Sequence, residues 1–244
     1  MRIRPTILLA GLLTATAALT ACETQPAAPA VVAATAQSCR LPAVLPAPEM
    51  EHVRPDEVVA DRPILFHMLA VTWMPETCRT GGDGQGDLAC DANRFGWTLH
   101  GLWPNSDGRP YPRYCRAATR VAPQTIRAEL CRTPSVDLVQ HEWAAHGTCG
   151  WDTPEAYFQQ SAAMYDKLVR PDPRALRTAG ELRDAFARAN PGLPRQAVYI
   201  AVTEDDRLRE VRICNDLSFN PRPCPRGEVG ARDATVLTVE PIRD

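Results

Sequence analysis

The chain has 244 residues, 45% of them hydrophobic and 23% charged, with nine cysteines and a formal net charge of −2. That length suits one domain with a sizeable core behind short accessory segments. The slightly acidic balance gives no argument for a general nucleic-acid binder, so any attraction for phosphate must be local.

Arg2 and Arg4 precede an apolar run from Ile7 to Leu19, which ends in Leu19-Thr20-Ala21-Cys22. A basic start, a short apolar stretch and small residues before a cut are the layout of a secretory signal, and the run is too short for a membrane-spanning helix. Its last four residues resemble a bacterial lipobox, in which the cysteine becomes the lipid-modified first residue. An ordinary signal peptide cut near a cysteine is the alternative. Residues 1–21 are expected to be a lipoprotein signal peptide and Cys22 the lipidated residue. Glu23 is not the aspartate linked to inner-membrane retention, so the expected location is a periplasmic or outer-membrane lipoprotein. Without Arg2 and Arg4, 25 basic residues face 29 acidic ones, a formal −4. Lys167 is the one lysine in the chain.

With Cys22 set aside, Cys39, Cys78, Cys90, Cys115, Cys131, Cys149, Cys214 and Cys224 remain, an even set that in an exported chain reads as a disulfide framework. No C-x-x-C pair suggests structural zinc. The Pro/Ala-rich residues 22–38 read as a flexible tether and residues 39–244 as the globular domain.

Ile64–Trp73 is a nearly continuous apolar run that predicts a buried strand ending at Pro75. Thr77–Asp91, rich in Gly and Asp, predicts a surface loop, closed at its base if Cys78 pairs with Cys90. Phe95–Pro104 starts as a strand, with a break expected at Gly101 and Pro104 that leaves His100 near a strand end, where its side chain can project into a cleft. In the following helix Asp152 is the candidate N-cap, with Pro154 in the first turn and Glu155 three residues after the cap. A second helix covers Ala179–Ala189, stopped by Asn190-Pro191-Gly192. Residues 197–204 and 207–215, joined through Asp205-Asp206, read as a hairpin, and residues 234–242 as a last strand. Helices in the middle and strands at both ends suggest an α+β fold with a central antiparallel sheet.

The stretch His141-Glu142-Trp143-Ala144-Ala145-His146 invites a metalloprotease reading. A helical zinc site needs histidines at i and i+4. Here they stand at i and i+5 and diverge by roughly 140° around a regular helix, so they cannot both face one metal. Glu142 and His146 do stand at i and i+4, where a carboxylate can hold the imidazole and favour its protonated form. His100 is the candidate partner, because two imidazoles across a phosphodiester can remove a proton on one side and deliver one on the other. RNA carries its own nucleophile, the 2′-hydroxyl.

The segments Leu99-His100-Gly101-Leu102-Trp103-Pro104 and His141-Glu142-Trp143…His146-Gly147-Thr148-Cys149 resemble the two active-site segments of the ribonuclease T2 family of secreted acid endoribonucleases. The likeness extends to Leu69–Cys78 and to a cysteine pair near the C-terminus, about residues 64–224 in all. The resemblance implies that His100 and His146 are the acid/base pair, with His146 toward the 2′-hydroxyl and His100 toward the 5′-oxygen. His141 would hold the phosphate and Glu142 would stabilise charge around the pentacovalent intermediate. The product would be a 2′,3′-cyclic phosphate, then a 3′-phosphate, made without metal or cofactor. Trp103 and Tyr111 match positions where the family stacks a base, which fits weak base preference, and Leu138 is a candidate for lining a base pocket.

Two departures stand out. Ala145 occupies the place of a lysine that steadies the phosphorane, and Asn105 that of an aspartate that helps recognise the base. Losing one preorganised charge typically costs on the order of 10²–10³ in rate. The expected partners are RNA substrate and, through Cys22, a membrane; DNA cleavage is not expected, and the protein is expected to be a monomer. An RNA-binding lipoprotein of weakened or lost activity is the alternative. Cys115–Cys149 would fasten the second motif to the segment after the first, Cys214–Cys224 would be the C-terminal bridge, and Cys39 is then left with Cys131. Trp73 and Trp97 are expected in the core, His67 in the core and His52 at the surface.

Overall fold

The computed structural model describes residues 39–79, 81, 87–225 and 229–243. The expected signal peptide, the lipidation site Cys22 and the 22–38 tether lie outside these residues. Four strands, β1 (Phe66–Trp73), β2 (Trp97–Asn105), β3 (Val198–Val202) and β4 (Leu208–Asn215), form an antiparallel sheet of order β2-β1-β4-β3. β1 is interior, hydrogen-bonded on both sides, and six of its eight residues are buried, which is why it reads as a continuous apolar run.

The helices are α1 (Met74–Arg79), α2 (Pro123–Glu129), α3 (Val136–Glu142), α4 (Pro154–Lys167) and α5 (Ala179–Ala189). The fold is therefore α+β, with helices concentrated between the two strand pairs. α4 packs across β1 and β2, and α5 against β3. Trp73, Trp97, Tyr157 and Phe186 fill the space between, with Trp97 edge-on to both Trp73 and Phe186. Each such side chain contributes about 2 kcal/mol relative to exposure. The polar ends of the two tryptophans are met by the carbonyls of Glu240 and Pro171, both at 2.8 Å.

Several local expectations are corrected. β2 is not broken at Gly101 or Pro104: Gly101 pairs with Ala70 and Pro104 with His67. β2 is the sheet edge, where a residue without an N–H removes no ladder bond. The loop expected at Thr77–Asp91 begins and ends in helical turns, α1 through Arg79 and a π turn at Asp87–Asp91, because Met74, Ala89 and Phe95 bury together beside the Cys78–Cys90 bridge. The N-cap of α4 is Thr153, whose hydroxyl accepts from the Ala156 N–H, and not Asp152. Residues 234–242 form no last strand. They bridge once to Thr178 and once to Arg207, and contacts alternating between two neighbours build no ladder.

Four disulfides, Cys39–Cys131, Cys78–Cys90, Cys115–Cys149 and Cys214–Cys224, staple the fold. The first ties down an arm, residues 39–63, for which the sequence suggested no element. Arg127 donates to the carbonyls of Pro42 and Ala43, the Glu49 N–H donates to Asp137, and Val59 bridges to Arg113. Among the described residues no helix is long and apolar enough to cross a membrane.

Candidate active site

A register shift in the β1–β2 ladder positions His100. Ala70 faces Gly101 and Val71 faces Leu99, so His100 is the unpaired extra residue of a bulge. A bulge re-aims a side chain that regular pleating would leave on the other face. His100 Nδ1 lies 2.5 Å from Glu210 Oε2 on β4, and its Nε2 lies 3.5 Å from Glu142 Oε1. Burial opposes the charge on this ring, but the Glu210 carboxylate and then Glu142 outweigh it and raise the pKa to about 9. Burial likewise opposes charge on Glu210, yet His100 and Arg212, whose Nε donates to Glu210 Oε1 at 2.6 Å, bring its pKa down to about 2.

The second motif departs from a regular helix. α3, capped by Ser135, runs into a π turn at Trp143–Gly147 and then a last α turn at Thr148–Gly150. In a π turn hydrogen bonds run from i to i+5, so residues five apart come onto one side. His141 and His146 consequently stand with ring centroids 6.4 Å apart. The divergence expected from a straight helix is thus corrected, and the reason is the extra residue in the turn. Gly147 permits the packing, since a Cβ there would fall 2.4 Å from Trp143 Cε3 and 2.9 Å from Tyr157 Cγ.

The same turn moves Glu142 away from the service expected of it. It does not hold His146. Its Oε2 accepts from Trp103 Nε1 at 3.0 Å and lies 3.4 Å from the Tyr157 hydroxyl, and its Oε1 is turned toward His100. Burial raises the pKa of Glu142 against the pull of His100 and His141. Gly101 leaves the room it occupies, for a Cβ at 101 would sit 1.7 Å from Glu142 Oε2.

His146 is the opposite of His100. Its Nδ1 is buried without a hydrogen-bond partner. Burial first, then the charges of His141, His100 and Arg113, drive its pKa well below the usual histidine range. His141 Nδ1 pairs with Glu51 of the arm, and this contact with Glu142 outweighs burial and raises its pKa.

Trp103 lies edge-on to His100, with centroids 5.0 Å apart, and tilted against His146 at 5.4 Å. With Tyr111 and Asn105 it lines a cavity of about 480 Å³ that also takes in Arg212. Asn105 itself donates back to the Trp103 carbonyl at 3.0 Å. Leu138, half-buried, lines a separate cavity of about 500 Å³ with His100, His141, His52 and arm residues Met50 and Glu51. Cavities therefore lie on both sides of the histidines, and His100 and Leu138 also line one of about 330 Å³ with Glu210. His67 is buried away from this group against Trp151 and Phe219, and His52 is exposed at its rim.

Glu51 and Glu210 carried no signal in the sequence: neither stands in a motif, and only tertiary packing delivers them to the rings. Among the described residues, His141, Glu142 and His146 offer metal-ligand atoms within 4.8 Å of one another. Glu142 Oε2 is engaged by Trp103 and Tyr157, and Glu51 holds one nitrogen of His141.

A family model described as the Ribonuclease T2 family matches residues 64–180, the interval that carries both histidine segments. The chain belongs to the ribonuclease T2 family. A probable ribonuclease of Haemophilus influenzae is 30% identical over 178 residues, which cover 68% of this chain and 62% of that one. A ribonuclease of Aeromonas hydrophila is 32% identical over 111 residues, 46% of this chain and 48% of its own. The matches thus span between about half and less than two thirds of these two relatives. Trichomaglin, an S-like ribonuclease, superposes with a TM-score of 0.60 at 19% identity, covering 75% of this chain and 100% of its own. An RNase-related protein of Calystegia sepium gives 0.58 at 20% identity with the same coverage. At such identity the likeness to these two structures shows a shared fold.

Proposed function

We propose that the protein is an endoribonuclease that cleaves single-stranded RNA through attack of the 2′-hydroxyl on the adjacent phosphorus, with little base preference. The observation that carries this reading is the opposed surroundings of two histidines on one site, His100 against Glu210 and Glu142, and His146 buried with an unpartnered Nδ1. His146, neutral at pH 7, takes the proton of the 2′-hydroxyl. His100, protonated by its contact with Glu210, gives one to the departing 5′-oxygen. His141, whose pairing with Glu51 favours its charged form, faces the phosphate. The 2′,3′-cyclic phosphate so formed is then opened by water as the two histidines exchange roles, leaving a 3′-phosphate. Trp103 and Tyr111 on one side and Leu138 on the other offer surfaces to the flanking bases. The chemistry needs no metal, and DNA, without the 2′-hydroxyl, is not a substrate. The protein acts outside the cytoplasm as a monomer, exported and lipid-anchored through Cys22.

The test is incubation of residues 39–244 with an RNA oligonucleotide and its DNA counterpart, in chelator, with mass analysis of the ends. Cyclic phosphate ends from RNA alone are expected. Cleavage of DNA, or activity lost to the chelator and restored by zinc, overturns the reading. Binding of RNA with no cleavage returns the protein to the alternative of an RNA-binding lipoprotein, which Ala145 favours.

A further inference from the structure

Ala145 leaves the proposed site without the cation that the family carries there, and its surroundings show what takes that volume. Ala145 is fully buried against Tyr114, and the Tyr114 N–H donates to the Ala145 carbonyl at 2.9 Å. The residue before Tyr114 is Arg113. Its own backbone is fixed by exchange of two hydrogen bonds with Val59 of the arm, at 2.9 and 3.1 Å, and the chain two residues on is tied to the second motif by Cys115–Cys149. The segment that carries Arg113 is therefore held against the helical turn that carries His146.

The guanidinium of Arg113 lies 4.7 Å from the centre of the Tyr114 ring. It lines a cavity of about 420 Å³ with Tyr111, whose ring stacks on His146 at 6.3 Å. Its Nε is buried with no hydrogen-bond partner, and among the described residues it forms no ion pair. The side chain of Arg113 hydrogen-bonds that of Tyr114, but its Nε stays open, whereas Arg207 and Arg212 are each bound to a carboxylate, so among these three Arg113 keeps a buried donor free for an acceptor. Arg212, the other arginine near the histidines, already donates to Glu210 and stands on the His100 side, over Trp103.

We propose that Arg113 supplies the positive charge at the scissile phosphate that residue 145 does not, contacting a non-bridging oxygen beside His146. The proposal rests on the ribonuclease reading above. A guanidinium meets a phosphate oxygen with two parallel N–H groups, so one arginine from a neighbouring segment can replace a lysine within the motif.

Kinetics on an RNA oligonucleotide, for Arg113→Gln, Arg113→Lys and the exposed control Arg188→Gln, test it. Arg113→Gln is expected to lower kcat on the order of 10²-fold with KM changed by less than about fivefold, and Arg113→Lys to retain most of the rate. Arg113→Met, which keeps the apolar stem over Tyr114, serves if the glutamine variant melts early. A second readout is binding of inorganic phosphate, followed by the NMR shifts of the histidines, expected to weaken about tenfold in Arg113→Gln. If the unaltered protein cleaves RNA and all three Arg113 variants match Arg188→Gln in both readouts, Arg113 is not the missing cation. If the unaltered protein does not cleave but loses phosphate binding only with Arg113, the anion site stands and the ribonuclease reading falls.

Discussion

His100 and His146 are the same side chain in opposed surroundings. One sits on a strand bulge and reaches carboxylates on two other elements; the other sits in a π turn, buried, with an unpartnered Nδ1 and cations nearby. Burial alone would push both pKa values down. The buried Glu210, with Glu142 behind it, makes the difference: it keeps His100 protonated to about pH 9, while His146 has no carboxylate partner, which is the opposition that the proposed acid and base roles need. Acid and base roles at one pH thus come from what each ring touches, and the imidazole itself is indifferent.

Removing either ring should break the comparison outright. His146→Ala and His100→Ala are each expected to lower kcat/KM on an RNA oligonucleotide by about 10⁴-fold, and full activity in either variant would refute the assignment. Gly101→Ala comes next. Its Cβ would meet Glu142 Oε2 at 1.7 Å, so the carboxylate must leave its seat beneath Trp103 and His100. A displacement of that kind is expected to cost on the order of 10²-fold in rate. Thermal unfolding should show a loss of about 1–3 kcal/mol.

Glu210→Gln sharpens the comparison. The raised pKa of His100 means that the acid is available up to about pH 9, and the lowered pKa of His146 means that the base is available from below the usual histidine range. The profile of kcat/KM against pH should therefore be a broad plateau. In the variant its alkaline limb should fall toward the ordinary histidine range, with a loss of roughly tenfold at pH 8 and little change at pH 5.5. The stability that His100 gains from Glu210 follows the same sign. It is complete below the ordinary histidine pKa and is lost as pH rises through about 9. An unchanged alkaline limb would show that Glu210 does not set the acid. The smallest effect is expected for Glu51→Gln, which leaves His141 with a weaker partner: KM should rise about fivefold at pH 7, with kcat nearly unchanged. A larger loss of kcat would mean that the arm acts on the chemistry itself.

Much of this molecule was legible before its structure. The apolar run at Ile64–Trp73, the hairpin around Asp205-Asp206 and the helix at Ala179–Ala189 follow from patterns that span a few residues, and such patterns survive folding because the core rewards them. The two histidine segments were equally plain. What failed were inferences that assumed regular geometry. Histidines at i and i+5 diverge on a straight helix but not on this one, because Gly147 and the packing of Trp143 on Tyr157 admit a π turn. Pro104 and Gly101 look like breaks only until β2 is known to be an edge strand.

By itself, the sequence determined the fold class, the even cysteine framework and which imidazoles belong together, since these depend on local periodicity and on residue type. Tertiary structure alone decided which carboxylate meets which ring. Glu51 is 90 positions from His141 and Glu210 is 110 from His100, distances over which no local pattern operates. A pKa depends on atoms within a few ångströms, and those neighbours are chosen by a sheet register, a bulge and an arm that a disulfide holds in place.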